Sequence, residues 1–222
     1  MNAAPGLPVP DVDTCLPVGP LGLPADLVVP AGARALVVFA HGSGSSRLSP
    51  RNRLVARVLH HHGLATLLMD LLEEREAEDR RRVFDIPQLA ARVIGVLDDL
   101  PTLQGLPAPL ASRPVGLFGA STGAAAALQA AAGRPSRVSA VVSRGGRVDL
   151  APDVARVRAP TLLIVGGSDG EVLALNEQAM ELLGCEKDLV VVPGATHLFE
   201  EPGTLEDVAR LAAQWFVRHA PG

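Results

Sequence analysis

A serine set between glycines, Gly119-Ala120-Ser121-Thr122-Gly123, follows the apolar run Val115 to Phe118 and leads into an alanine-rich stretch. In a strand–turn–helix setting this G-x-S-x-G pattern forms a sharp, strained turn that lifts the serine hydroxyl above the sheet edge. Side chains at the flanking glycines would collide with neighbouring backbone, and Ala124 to Ala127 are small enough for the helix to close onto the strand. Ser121 is therefore the candidate nucleophile. A serine hydroxyl needs a base to take its proton, and the base needs a carboxylate to orient it. Behind such an elbow the partners follow in the order Asp or Glu, then His. His197 lies in the loop Pro193-Gly194-Ala195-Thr196-His197 and is the candidate base; His219, in the last turn of the final predicted helix, reads as a solvated cap. Asp169 is the candidate acid, with Glu171, Asp149 and Asp153 as substitutes. The other role open to Asp169 is to cap the helix that follows it.

Gly166-Gly167-Ser168-Asp169-Gly170 fits the same pattern. Ser168 is the weaker nucleophile, because it lacks the small-residue helix and leaves too little chain before His197 for a separate acid. Acyl transfer places negative charge on the former carbonyl oxygen, which two backbone amides usually stabilise. The amide of Thr122 is one candidate donor. The loop His41-Gly42-Ser43-Gly44 supplies the other, from Ser43 or alternatively Gly44. Arg144, Arg47 and Arg51 follow predicted strands or the oxyanion loop. Each is read either as a grip on a substrate carboxylate or phosphate or as a structural ion pair, with Arg144 and Arg47 the substrate-binding candidates. His41 is expected to brace its loop. The run His60-His61-His62 is not read as a metal site, since consecutive helical residues point in different directions. No metal or organic cofactor is expected.

These residues need elements to hold them. Predicted strands Ala35 to Ala40, Leu64 to Met69, Val115 to Phe118, Val138 to Ser143, Thr161 to Val165 and Leu189 to Val192 alternate with helical patterns after Pro50, over Phe84 to Leu100, after Gly123, over Val172 to Leu183 and over Leu205 to Arg218. Proline-broken pieces between Asp13 and Pro30 suit one or two edge strands. The charged run Glu73 to Arg82 reads as a solvated loop or fraying helix end, with a mobile flap as the alternative. Proline and glycine at 101–109 read as a break. The pattern predicts an α/β protein with a mostly parallel sheet covered on both faces. Loops 41–46, 119–123, 144–147, 166–170 and 193–197 should then meet at the carboxyl edge.

Among 222 residues, 48% are hydrophobic and 20% charged, as in soluble globular proteins. Residues 1–12 are expected to form a loose arm and 13–222 a single domain. A net charge of -4 provides no basic field for nucleic acid. An aromatic content of 3% with no tyrosine argues against a sugar-stacking site. Cys15 and Cys185 have no metal-ligand spacing and read as free thiols. No signal peptide or membrane span is expected, which points to a cytoplasmic protein, monomer or homodimer, acting on a small molecule.

The segments FAHGSGSSR, GLFGASTGAAAAL, LLIVGGSDG and VVPGATHLFEEPG together resemble small α/β-hydrolases of the dienelactone hydrolase family, over about residues 35 to 219. The resemblance implies an α/β-hydrolase fold without a large lid domain and a Ser121–Asp169–His197 triad. The family's name-giving enzymes use a cysteine on a cyclic enol-lactone; serine at the elbow favours a carboxylesterase for short-chain acyl esters. A thioesterase, lactonase or amidase would share the triad, and a non-catalytic binding module is the reading from another class. Serine-bearing relatives also occur fused to phosphoribosyltransferase domains, and none is expected within these residues.

Overall fold

The structure, a computed structural model, describes residues 14–220; the arm expected over 1–12 lies outside them. Eight strands form one sheet in the order β1-β2-β4-β3-β5-β6-β7-β8. Its edge is a hairpin of β1 (Thr14–Val18) and β2 (Leu23–Val28), antiparallel to each other, with β2 also antiparallel to its inner neighbour. An edge strand tolerates Pro17, which has no amide to contribute to a ladder. The remaining strands are parallel: β3 (Ala35–Ala40), β4 (Leu64–Met69), β5 (Val115–Ala120), β6 (Val138–Arg144), β7 (Thr161–Gly166) and β8 (Lys187–Val192).

Helix α1 (Pro50–His61) starts where its sequence says it should, with Ser49 accepting the Asn52 amide and proline in the first turn. Two short helices, α2 (Glu74–Ala77) and α3 (Arg80–Val83), precede α4 (Ile86–Asp99); α5 (Ala108–Ala111), α6 (Thr122–Gly133), α7 (Gly170–Leu182) and α8 (Thr204–Arg218) follow. Successive residues of a strand point to opposite faces. Leu36 and Val38 of β3 therefore join a core with α4, α6 and α7, whereas Val37 and Phe39 join one with α1 and α8. Both faces are covered, so β3, β4, β5 and β7 are buried throughout. This is the α/β-hydrolase architecture, without a large lid among the described residues.

Two local expectations are corrected. The run Glu73 to Arg82 folds into α2 and α3 rather than a bare loop, because Glu76 forms a capping box with Glu73 and pairs with Arg82 and Arg92 at 2.7 Å. Arg92 lies on α4, too far along the chain for a charge pattern to reveal. The break expected at 101–109 holds, since α4 ends at Asp99, and α5 begins only as it closes. His219 caps the end of α8 as expected but is not solvated: it packs on Trp215 with ring centroids 4.5 Å apart, and burial lowers its pKa. Of the histidine run, His60 bonds the Thr66 hydroxyl and His62 donates to the Val58 carbonyl. Among the described residues no helix is long and apolar enough to cross a membrane.

The tightest approach is at the start of α6. A Cβ on Gly123 would meet the carbonyl oxygens of Ala40 and His41, and one on Gly119 would meet the backbone of Ala124. Backbone on both sides leaves nothing flexible to yield. Gly123→Ala is predicted to destabilise the fold by about 3 kcal/mol, the upper end for overpacking. Urea unfolding measures it, and a loss within error would show that the helix can shift freely.

Candidate active site

Ser121 sits between β5 and α6 at φ 51° and ψ -121°, a positive-φ conformation that is strained for a residue with a Cβ. Hydrogen bonds on both sides hold it there: its amide donates to the Arg144 carbonyl, and its own carbonyl accepts the amides of Ala124 and Arg147, each at 3.1 Å. As the residue before α6 it is well placed to cap the helix with its side chain, yet it makes no such bond. The hydroxyl is free for a partner outside the helix.

That partner is His197. Its Nε2 lies 3.3 Å from Ser121 Oγ, and its Nδ1 lies 2.7 Å from Asp169 Oδ2. With Nδ1–H donated to the carboxylate, Nε2 keeps a lone pair for the serine proton. Asp169 precedes α7 without capping it by its side chain, so the carboxylate is directed to the imidazole instead. The two loops are tied backbone to backbone, since the Ser168 amide donates to the Ala195 carbonyl at 2.9 Å. A side chain at Gly166 would meet that same carbonyl. The histidine loop is anchored further by buried Phe199 and by Thr196, whose hydroxyl donates to Glu201 at 2.6 Å. Ser168 and Glu171 are exposed and outside the relay. Asp149 pairs with Arg147, and Asp153 bonds Gln129.

The loop after β3 lies against the elbow. A Cβ on Gly42 would stand 2.9 Å from the Ala120 carbonyl oxygen and 3.0 Å from Ser121 Cβ, so backbone alone fits there. Ser43 and Gly44 follow on the exposed side of this contact, and Thr122 opens α6 on the other. His41 braces the loop: Nδ1–H donates to the Gly42 carbonyl at 2.9 Å, and Nε2 accepts the Leu71 amide at 3.0 Å. Accepting the Leu71 amide at Nε2 requires neutral imidazole. Burial lowers its pKa, opposed by the Gly42 carbonyl and the Asp70 charge.

Of the two readings for Arg47, the structure displays the ion pair. Asp70 accepts both its amide and its Nη1 at 2.7 Å, while its Nε contacts Asp26 at 3.2 Å. Asp26 also pairs with Arg53 at 2.8 Å. Asp26 on β2 and Asp70 after β4 thus clamp the loop that leaves β3. Sequence reasoning assigned neither a role, because their partners lie on other elements. Arg51 reaches Glu200 at 3.3 Å, and Arg144 is buried. Beside these groups opens a cleft of about 910 Å³, reaching from Thr122 and Ser43 to apolar walls at Leu23, Leu71 and Leu89.

The chain is 54% identical to a solved structure described as dienelactone hydrolase from Anabaena variabilis, with 94% of this chain and 97% of that one covered and a TM-score of 0.87. It is 55% identical, over its whole length, to proteins from two strains of Mycobacterium tuberculosis named as phosphoribosyl transferases. The chain spans about half the length of these curated relatives, 49%. A lidless α/β serine hydrolase from Xanthomonas campestris shares the fold, with a TM-score of 0.74 at 20% identity and 99% of each chain covered. No family profile matches the chain.

Two predictions concern the braces. Asp70→Asn removes a charged acceptor from two donors and is expected to destabilise by about 2 kcal/mol. It should also speed amide exchange at Arg47; mass-spectrometric exchange with an unchanged loop would contradict the clamp. For His41, the unfolded chain takes up a proton near the ordinary pKa of 6.5, whereas the folded imidazole resists it to lower pH. The unfolded state then binds more protons, so stability falls as pH drops below about 6.5. His41→Asn should flatten this slope in melting curves between about pH 7.5 and 5.5; an equal slope in both proteins would refute the assignment.

Proposed function

Because the chain belongs to the dienelactone hydrolase family of α/β-hydrolases and carries serine at the elbow, we propose that it hydrolyses carboxylic esters through an acyl-enzyme. The observation that supports this best is the continuous relay from Asp169 through His197 to Ser121, with the serine at positive φ and not capping its helix. His197 Nε2 takes the Ser121 proton as Oγ attacks the ester carbonyl, and Asp169 stabilises the resulting imidazolium. The tetrahedral oxyanion forms between the amides of Thr122 and Ser43. His197 then gives its proton to the leaving alkoxide, which departs as alcohol, and deprotonates the water that releases the acid. Each donor of an oxyanion pair typically contributes ~10²–10³ in rate. The close packing of Gly42 on Ser121 supports a pre-placed second donor, which needs no reorganisation at the moment of reaction.

Short-chain acyl esters are the proposed substrates, and thioesters, lactones or amides would pass through the same acyl half. The transferase name of the Mycobacterium tuberculosis relatives belongs to proteins about twice this length and does not bear on the serine site.

Hydrolysis of p-nitrophenyl esters from acetate to octanoate tests the reading. Ser121→Ala is expected to lose at least ~10⁴-fold in kcat, while Ser168→Ala retains turnover. Loss of turnover in Ser168→Ala alone would place the nucleophile on the loop after β7 instead. If the wild type hydrolyses no ester and a fluorophosphonate labels nothing, the enzymatic reading fails in favour of a binding module.

A further inference from the structure

One buried polar side chain beside the site takes no part in the relay. Asn176 lies in the middle of α7 and is fully buried. Its Nδ2 donates to the Gly146 carbonyl at 2.9 Å and to the Val172 carbonyl, one turn back in the helix, at 2.7 Å. Its Oδ1 is buried without a partner. Asparagine forms helix less readily than leucine, and an unpaired buried acceptor costs stability. An apolar residue would suit this face of α7, where Val172 and Ala179 are also buried. What asparagine supplies and an apolar residue cannot is a donor for Gly146.

Gly146 belongs to the turn after β6, residues 144–147, and this turn touches both halves of the relay. On the nucleophile side, the Arg144 carbonyl accepts the Ser121 amide and the Arg147 amide donates to the Ser121 carbonyl, each at 3.1 Å. On the base side, a Cβ on Gly145 would stand 3.2 Å from the His197 carbonyl oxygen and 3.4 Å from its Nδ1. Two consecutive glycines leave the turn free to adopt other conformations, so its shape depends on bonds from outside. The Gly145 amide is held by the Ile164 carbonyl at 2.8 Å, and the Gly146 carbonyl by Asn176. Asn176 follows Asp169 by two helical turns. One rigid helix thus has the acid at its head and, further along, the clamp on the turn that holds the nucleophile.

We propose that Asn176 is a positioning residue for the relay: by holding the Gly146 carbonyl it fixes the turn that keeps Ser121 Oγ 3.3 Å from His197 Nε2. This role rests on the serine-hydrolase reading. Asn176 touches no substrate and acts through the geometry of the two reacting groups, where a displacement of about 1 Å can cost ~10²-fold in rate. The walls of the cleft come from elements other than α7, so substrate binding is expected to stay as it is when Asn176 is replaced.

The test measures p-nitrophenyl butyrate hydrolysis and the rate of fluorophosphonate labelling in the wild type, Asn176→Leu, Asn176→Ala and Gln178→Leu, a control at an exposed position of the same helix. Each protein is assayed well below its own melting temperature, so that loss of stability does not enter the rates. In both Asn176 variants kcat and the labelling rate are expected to fall together, by about tenfold to 10²-fold, with KM unchanged. Gln178→Leu should keep both rates. The low-field proton resonance of His197 Nδ1–H should persist in Asn176→Leu, because Asp169 still accepts that proton. Its disappearance would put the damage at the acid and overturn the positioning role. Wild-type rates in folded Asn176→Leu and Asn176→Ala, or a rise in KM at unchanged kcat, overturn it too and leave the hydrolase reading intact. A wild type that neither hydrolyses the ester nor takes up the label overturns the hydrolase reading, and the role of Asn176 with it.

Discussion

Backbone packed on backbone at the head of α6 is the constraint from which the site follows. The carbonyls of Ala40 and His41 occupy the space that a side chain on Gly123 would need, and Ala124 occupies the space beside Gly119. With no side chain between them, the end of β3 and the start of α6 lie at van der Waals distance. The loop leaving β3 is consequently beside Ser121 before any side-chain interaction is counted. The same approach forces the chain to reverse within one residue, and Ser121 takes that reversal as a positive φ. Such strain persists only where the surroundings over-determine it. Here the buried helix, the bond to Arg144 and the ladder of β5 with both neighbouring strands do so.

Charge at the carboxyl edge is handled in two ways. Arg47 is matched by two carboxylates, Asp26 within β2 and Asp70 just after β4, so its charge serves to fasten a loop. Among the described residues Arg144 meets no carboxylate. The same residue type is paired in one case and unpaired in the other. The difference lies in which acidic residues the strand order brings near. Asp26 reaches Arg47 and Arg53 because β2 pairs with β4 across the sheet. Beside β6, the carboxylate that follows β7, Asp169, is held by His197.

Much of this was readable in the chain. Strands buried on both faces are continuous apolar runs, and their positions differ from expectation by a residue or two at the ends. The elbow was readable because glycine, serine and alanine stand where close approach demands them. Asp169 and His197 were readable as residues because each follows a strand, and parallel strands deliver such loops to one edge. Short helices α2 and α5 were not readable. Charged or proline-rich runs of four residues carry no periodicity, and Glu76 is held by Arg92 from a different helix.

Local chemistry along the chain thus determined the fold class, the position of the candidate nucleophile and the two loops that approach it, since each depends on steric demands or burial patterns that neighbouring residues encode. Only the tertiary structure decided which charges meet. It turned Asp169 away from capping α7 and onto His197, assigned Arg47 to Asp26 and Asp70, stacked His219 on Trp215, and left Arg144 buried without a partner. The physical reason is that hydrogen bonds and ion pairs act over a few ångströms in space, and the residues they join lie tens of positions apart in a sequence that records only its own neighbours.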